Sequence, residues 1–129
     1  MSRAPATAAA DDRLIDAAAR MAERNVRHLP VVDGDRHVIG ILSDRDVRTL
    51  LGDSSRSLRP TDAVVRMQAL RVADAMTRDA FVVRQDAAFS DVARVFTDQR
   101  VGAVPVVDDA DRLVGIISYV DVFKNAGAL

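Results

Sequence analysis

The chain of 129 residues contains no cysteine and no tryptophan, and aromatic residues make up only 4% of it. Without cysteine there can be no disulfide bond, no thiolate metal ligand and no cysteine nucleophile. Hydrophobic residues nevertheless amount to 49% of the sequence, so a packed core has to be built from aliphatic side chains. Lys124 is the only lysine among 18 basic residues, which leaves arginine to supply nearly all of the positive charge.

Charge and hydropathy exclude further classes of protein. The formal net charge of −1 and the pI of about 6.1 argue against a general polyanion binder, which carries a basic excess or a basic face. No apolar run approaches the roughly 20 residues that cross a bilayer. The alanine-rich N terminus contains Pro5 and lacks the apolar segment of a signal peptide. We therefore expect a cytoplasmic protein that binds neither nucleic acid nor membrane.

The sequence also lacks the common signatures of catalysis. It has no Gly-x-Ser-x-Gly, Walker loop, Gly-x-Gly-x-x-Gly or His-Glu-x-x-His motif, and only two histidines, His28 and His37. The acidic residues in its turns are not spaced so that five or more oxygens converge on one divalent ion. These observations favour a protein that is not an enzyme, has no metal site and requires no cofactor.

An internal repeat is the main feature that is present. When the sequence is compared with itself, residues 14–51 align without a gap on residues 89–126, with twelve identical positions. Most other positions exchange similar residues, as Leu14 does for Phe89. A repeat fixes the architecture, and two copies suit two halves packed about a pseudo-two-fold axis.

Each copy predicts a helix, two strands and a second helix. Apolar residues at helical spacing follow Asp11 and Asp86, which are the expected N-caps. Two β-branched runs then predict a buried hairpin, and a second helix is expected to begin near Ser43 and near Ser118. The predicted strands cover 29–32 and 38–42 in the first copy, and 104–107 and 113–117 in the second.

Shorter elements are expected before each copy and between the copies. A strand is predicted around 81–83, and a weaker one at 6–8, where alanine is a poor strand former. Between the copies, residues 52–57 read as a loop and Thr61 as the cap of a short helix that carries Val64, Val65, Met67 and Leu70. A further helical turn is predicted at 72–77.

Residues 25–47 and 100–122 resemble the two motifs of a cystathionine-β-synthase (CBS) domain pair. Both carry a hydrophobic-Pro-Val-Val-Asp run, followed by Gly-hydrophobic-hydrophobic-Ser-x-x-Asp. The resemblance implies an α+β (mixed α/β) fold, in which two β-α-β-β-α motifs pack sheet-to-sheet about a pseudo-two-fold axis as one Bateman module. The expected divisions are 5–51 for the first motif, 52–71 for a connector and 72–126 for the second motif.

The Ser-x-x-Asp sequences, at Ser43/Asp46 and at Ser118/Asp121, are the most informative candidate site. One interpretation is structural, because a serine N-cap and an acidic residue three positions later form a capping box. The other is functional, because a helix N terminus attracts phosphate and a carboxylate one turn later can accept hydrogen bonds from both hydroxyls of a ribose. The resemblance implies that the matching residues bind ribose.

Phosphate and adenine would need further partners. Arg27, His28 and Arg45 are the candidate phosphate ligands, since phosphate requires cations or N–H donors, although two surface arginines and a packed histidine are the structural alternative. The second copy has Gly102-Ala103 and Tyr119-Val120 at the matching positions, so the two clefts are expected to differ. The candidate adenine pocket consists of Leu29, Val104, Ala80 and Phe81, with plain core packing as the alternative.

Together the residues and the resemblance predict a non-catalytic regulatory module. Adenine nucleotides (AMP, ADP or ATP) would bind in the clefts between the motifs and shift a conformational or oligomeric equilibrium. A homodimer is expected, with a separate effector protein as a further partner. The alternative is a structural dimerisation module that holds no ligand and acts through protein contacts.

Overall fold

The helices and strands follow one another twice in the same order. The computed structural model of the chain describes residues 2–55 and 59–127. Within these residues the elements are β1 (Ser2–Arg3), α1 (Leu14–Arg24), β2 (His28–Val32), β3 (Val38–Ser43), α2 (Asp44–Ser55), α3 (Pro60–Ala69), α4 (Val72–Ala75), β4 (Thr77–Arg78), β5 (Val83–Arg84), α5 (Phe89–Gln99), β6 (Ala103–Val107), β7 (Leu113–Ser118) and α6 (Tyr119–Gly127).

The predicted fold class is confirmed. Each motif contains an antiparallel hairpin, β2–β3 or β6–β7, and each hairpin is followed by a helix. A preceding segment runs parallel to the first strand of each hairpin, as Val83 does to Val106 and Ala8 does to Val31. The weak strand predicted at 6–8 is therefore a single bridge at Ala8.

Two strands that the sequence did not predict cross between the motifs. Strand β4, near the start of the second motif, pairs with β3 of the first motif. Strand β1, at the N terminus, pairs with β7 of the second motif, through the repeat equivalents of the positions that join β4 to β3. The sheets therefore have the orders β1-β7-β6-β5 and β2-β3-β4. Each motif completes the sheet of the other, which joins the two halves.

The backbone repeats the two-fold relationship in its unusual conformations. All six non-glycine residues with positive φ in the described chain fall into three pairs, and the members of each pair occupy equivalent positions of the repeat. A bridge between His37 and Arg112 links two equivalent positions directly. Such paired details show that the halves share one backbone design. The pairs are Ala4/Asp79, Asn25/Arg100 and Arg36/Asp111.

The starts of the first helices differ from the prediction. Arg13 and Ala88, instead of Asp11 and Asp86, occupy the N-cap positions of α1 and α5, and neither donates or accepts a side-chain capping bond. In α1 the first N–H, that of Leu14, donates instead to the carbonyl of Leu70 at 2.8 Å. A tertiary contact thus replaces the side-chain cap.

The connector is more helical than expected. Helix α2 continues through Gly52 to Ser55, where a loop was predicted, and residues 56–58 lie outside the described residues. Helix α3 begins at Pro60 after Arg59 as N-cap, so Thr61 is not its cap. It packs on α1 and α2 and directs Leu70 into the core of the first motif. The helical turn predicted at 72–77 is present as α4, but it ends at Ala75, and Thr77 belongs to β4.

Candidate functional site

Both Ser-x-x-Asp sequences form capping boxes at the ends of their hairpins. In the first motif the N–H of Asp46 donates to Ser43 Oγ at 3.0 Å, and the N–H of Ser43 donates to Asp46 Oδ2 at 3.2 Å. The bonds between Ser118 and Asp121 are the same, at 3.2 and 2.9 Å. The Ser118 backbone N–H is also the main reason that the pKa of Asp121 lies below its ordinary value. The predicted capping boxes are therefore present in both motifs.

The helix termini offer fewer donors than the sequence suggested. The N–H of Asp44, the first of α2, donates to the carbonyl of Arg27 at 2.8 Å. The equivalent N–H of Tyr119 donates to the carbonyl of Gly102 at 3.0 Å. With the Asp46 and Asp121 N–H groups engaged as well, an anion here would depend mainly on side-chain cations.

Each capping box lies at the wall of a separate cleft between the motifs. The first cleft has a volume of about 430 Å³ and combines the start of α2 with the segment before β5 and the residues before β6. Ser43 and Asp46 face it from the first motif, and most of its other residues come from the second motif. Its remaining lining consists of His28, Ile41, Arg45, Thr77, Asp79, Ala80, Phe81, Arg100, Val101, Gly102 and Ala103.

The second cleft is the counterpart of the first under the repeat. It has a volume of about 520 Å³ and combines the start of α6 with the residues that precede β2. Ser118 and Asp121 line it, so both predicted ribose-binding pairs do lie at interior boundaries of the module. Its remaining lining consists of Asn25, Val26, Arg27, His28, Gly102, Ala103, Ile116, Tyr119 and Val120.

The candidate phosphate ligands do not form one group. Arg45 lies in the first cleft, Arg27 lies in the second, and only His28 reaches both. The segment before β2 lies between two helices: the Arg27 carbonyl accepts the Asp44 N–H of α2, whereas Arg27 lines the second cleft with the start of α6. Arg100, which the sequence analysis missed, joins Arg45 in the first cleft. No sequence motif marked Arg100, but its repeat counterpart, Asn25, lines the second cleft, so the two positions are equivalent in the structure as well.

These arginines are available to an anion. None of Arg27, Arg45 and Arg100 forms a salt bridge or hydrogen bond through its side chain within the described ranges, and all three are exposed. Other arginines are engaged, as Arg20 is with Asp12 and Arg84 with Asp109. The two clefts thus have unpaired positive charge close to the capping boxes.

The candidate adenine residues divide into two sets. Ala80 and Phe81 line the first cleft, and Phe81 is 47% exposed. Leu29 and Val104 are 0% exposed and line neither cleft. Each belongs to the hydrophobic core of its motif, where it pairs across the hairpin with Leu42 or Ile117. The structure therefore does not support Leu29 and Val104 as pocket residues.

His28 occupies the boundary between the clefts. Burial lowers its pKa below the ordinary value, against the raising effect of Asp46, while Arg27 lowers it further and Asp44 raises it. Its ring lies against Gly102, where a methyl group would come within 2.9 Å of His28 Nε2. Glycine at position 102 therefore makes room for the imidazole.

A possible metal cluster in a turn has a simpler explanation. Asp33, Asp35 and His37 bring one ligand atom each within 4.8 Å of one another, and all three are exposed. Asp33 Oδ1, however, accepts hydrogen bonds from the N–H groups of Asp35 and His37, which hold the turn and lower the pKa of Asp33. Asp108 forms the same two bonds in the second motif, with Ala110 and Arg112, which are not metal ligands.

Across the part of the chain that the structure describes, no helix combines the length and the apolar composition of a membrane span.

Comparison with known proteins agrees with this architecture. The chain is 27% identical over 127 residues to L-aspartate semialdehyde sulfurtransferase from Methanocaldococcus jannaschii, which covers 98% of this chain but only 22% of that enzyme. The solved CBS domain pair of protein MJ0100, in complex with 5′-methylthioadenosine and S-adenosyl-L-methionine, has a TM-score of 0.81 and 27% identity, over 98% of this chain and 94% of that one.

A second solved structure and a family profile complete the comparison. CBSX2 in complex with AMP, a protein of Arabidopsis thaliana, has a TM-score of 0.76 and 26% identity, over 95% of this chain and 87% of that one. The profile of the CBS domain matches residues 1–53 and 72–127, the two parts of the chain that contain the repeats. The chain therefore belongs to the CBS domain family, as a tandem pair of CBS motifs.

Proposed function

We propose that the chain is a regulatory module that binds adenine nucleotides in its two clefts and has no catalytic activity of its own. The observation that carries the proposal is the position of the two Ser-x-x-Asp pairs. Each lies at a cleft between the motifs, and each cleft contains an unpaired arginine. The solved relatives that hold AMP, or 5′-methylthioadenosine and S-adenosyl-L-methionine, support an adenosine-type ligand.

The capping boxes leave room for a ribose. The Asp46 and Asp121 carboxylates each accept one bond from a serine N–H, and a carboxylate has about four acceptor positions. We assign the ribose to Ser43 and Asp46 in the first cleft and to Ser118 and Asp121 in the second. Both aspartates are half-buried, which shields such bonds from competition by water.

The phosphate and the adenine then take the remaining surfaces. Arg45 in the first cleft, Arg27 in the second and His28 at their boundary are the proposed phosphate ligands. Ala80 and Phe81 are the proposed adenine contacts of the first cleft, since an exposed aromatic ring offers a stacking surface. Adenosine-type ligands of the size of AMP fit cavities of a few hundred Å³.

A ligand in the first cleft would touch both motifs at once. Asp46 belongs to the first motif, whereas Thr77 in β4 and Phe81 between β4 and β5 belong to the second. A ligand shifts a conformational equilibrium only by its different affinities for the two states. A nucleotide that bridges the motifs has such a difference whenever their relative position changes, and an effector protein could respond to that change.

Calorimetric titration with AMP, ADP, ATP and S-adenosyl-L-methionine tests the proposal. Asp46→Asn and Asp121→Asn should each weaken binding at one site by about 10- to 100-fold, because a hydrogen bond to a charged group contributes about 1.5–3 kcal/mol. Asp74→Asn is the matched control, since Asp74 Oδ2 accepts the Arg71 N–H at 2.8 Å in the same kind of cap, outside both clefts. If none of these ligands binds, or if Asp74→Asn has the same effect, the proposal fails.

An apolar surface on α6 favours a second candidate function, as a dimerisation module. Tyr119, Val120 and Phe123 are 53%, 56% and 63% exposed, and the rings of Tyr119 and Phe123 meet edge-to-face at 5.3 Å. Val64 and Val65 on the connector helix are exposed as well. A stable homodimer in light scattering, dissociated by Phe123→Asp, together with no nucleotide binding would favour this function.

A further inference from the structure

The side chain of His28 lies at the boundary of the two clefts. The imidazole is half-buried and lines the first and the second cleft, as do Gly102 and Ala103 beside it. A methyl group at position 102 would lie 2.9 Å from His28 Nε2 and 3.0 Å from Cε1, so the ring is in contact with the backbone of the other motif. His28, Gly102 and Ala103 therefore form the partition between the two clefts.

The repeat makes this partition asymmetric. The counterpart of His28 is Ala103, and the counterpart of Gly102 is Arg27. In a symmetric pair each cleft would have its own imidazole, whereas in this chain the two clefts share the imidazole of His28. An anion that binds the His28 imidazole from one cleft therefore makes it unavailable to an anion in the other cleft.

The charges around His28 come from several elements. Asp46 and Asp44 face it from α2, and Arg27 precedes it in the chain. Burial is the largest influence on the pKa of His28 and lowers it, which favours the neutral ring. Further charged groups line the two clefts at whose boundary it lies, namely Arg45, Asp79 and Arg100 in the first and Asp121 in the second.

Resting on the nucleotide-binding function proposed above, we propose that the two clefts compete for phosphate through His28. A neutral imidazole has one N–H donor, and an imidazolium has two. One phosphate-bearing ligand would therefore take the single donor at one ring nitrogen, and a second phosphate at the other nitrogen would meet both an unmatched lone pair and the repulsion of the first. A nucleoside without phosphate would not meet this penalty.

The competition depends on pH. A phosphate next to His28 favours the imidazolium, so the first ligand binds with uptake of a proton and its affinity rises as the pH falls. Once the ring is charged, its second N–H becomes available to the other cleft. The antagonism between the clefts is therefore stronger at about pH 8 than at about pH 5.5.

Calorimetry with AMP and with adenosine tests the inference on the intact chain. At about pH 8 we expect AMP to bind each cleft at least about ten-fold more tightly when the other cleft is disabled, by Asp121→Asn or by Asp46→Asn, than when the other cleft is filled, whereas the two affinities of adenosine should be equal. At about pH 5.5 the ratio for AMP should fall by several-fold. His28→Gln has no titrating ring, so its ratio should not depend on pH beyond the change caused by ionisation of the AMP phosphate itself, with a pKa of about 6. His37→Gln, in an exposed turn outside both clefts, is the matched control.

NMR titration of His28 in the unaltered chain gives a second readout that needs no variant. AMP should raise the pKa of His28, and adenosine should leave it unchanged. Two equal and independent AMP sites, or no effect of AMP on His28, would overturn the inference while leaving nucleotide binding intact. Failure of AMP and adenosine to bind would also overturn the inference, and failure of ADP, ATP and S-adenosyl-L-methionine as well would overturn the proposed function.

Discussion

The main-chain carbonyl of Arg36 accepts a hydrogen bond at 2.9 Å from the N–H of Leu113, 77 residues later in the chain. The Arg36 guanidinium also donates to the Leu113 carbonyl at 3.2 Å. This pair of bonds ties the hairpin turn of the first motif to the first residue of β7 in the second, beside the His37–Arg112 bridge. Together with the exchanged strands β1 and β4, it fixes the relative position of the motifs and so the shape of both clefts.

Arg36→Ala should destabilise the fold by about 0.5–1.5 kcal/mol, the usual contribution of one hydrogen bond. The substitution removes the guanidinium bond but keeps the main-chain bond and the left-handed backbone at φ 67°. Urea unfolding measures the effect. Arg94→Ala on the exposed side of α5 should change the unfolding free energy by less than about 0.5 kcal/mol. Equal effects of the two substitutions would show that the Arg36 side chain does not hold the motifs together.

Gly40→Ala should be more damaging. A methyl group at Gly40 would lie 2.6 Å from the Thr77 carbonyl and 3.2 Å from Met76 Sδ, so the backbone of β4 would have to move. Overpacking of this kind costs about 1–3 kcal/mol. Gly34→Ala is the matched control, because nothing lies within 4 Å of the added methyl group. Thermal unfolding of both variants separates the free-energy cost of the close contact from that of replacing glycine by alanine. Equal shifts in the unfolding temperature would contradict the prediction.

The sequence predicted the fold well because its strongest signals are local and occur twice. The apolar hairpins, the second helix of each motif and the capping boxes at Ser43 and Ser118 depend on patterns of a few residues. The same internal alignment also relates features without such a pattern, for example the positive φ of Asn25 and Arg100. These follow from the shared backbone and not from residue type.

The sequence-based predictions were wrong where contacts between distant parts of the chain determine the structure. Strands β1 and β4 have two residues each, too few for an alternating pattern, and they exist because the other motif offers an edge. Arg27 comes just before the first hairpin in the sequence and Arg45 just after it. The packing of the motifs nevertheless places them in different clefts. Leu29 was assigned to a pocket by resemblance, although the fold buries it completely.

Leu29→Ala should therefore lower the unfolding free energy by about 2–5 kcal/mol, as expected for a cavity in a packed core. The milder Leu29→Val should keep the fold and the nucleotide affinity of the unaltered chain, because the side chain does not reach either cleft. Urea unfolding combined with calorimetry tests both parts. If the Leu29→Val protein has unchanged stability but binds AMP at least about ten-fold more weakly, Leu29 does contribute to the nucleotide site.

His28 should make the stability of the ligand-free chain depend on pH. Burial holds the pKa of its imidazole below the ordinary value of 6.5 in the folded protein, so between 6.5 and the lowered pKa the unfolded chain binds more protons than the folded one. Stability is therefore complete above pH 6.5 and decreases as the pH falls through this window.

His28→Gln should remove this part of the pH dependence, because an amide does not titrate there, and His37→Gln should retain it, because the exposed His37 imidazole lies outside the partition. Urea midpoints between about pH 7.5 and about pH 5 measure the slope for each protein. If His28→Gln keeps the slope of the unaltered chain, the imidazole is not desolvated between the motifs, and the clefts are separated by something other than this ring.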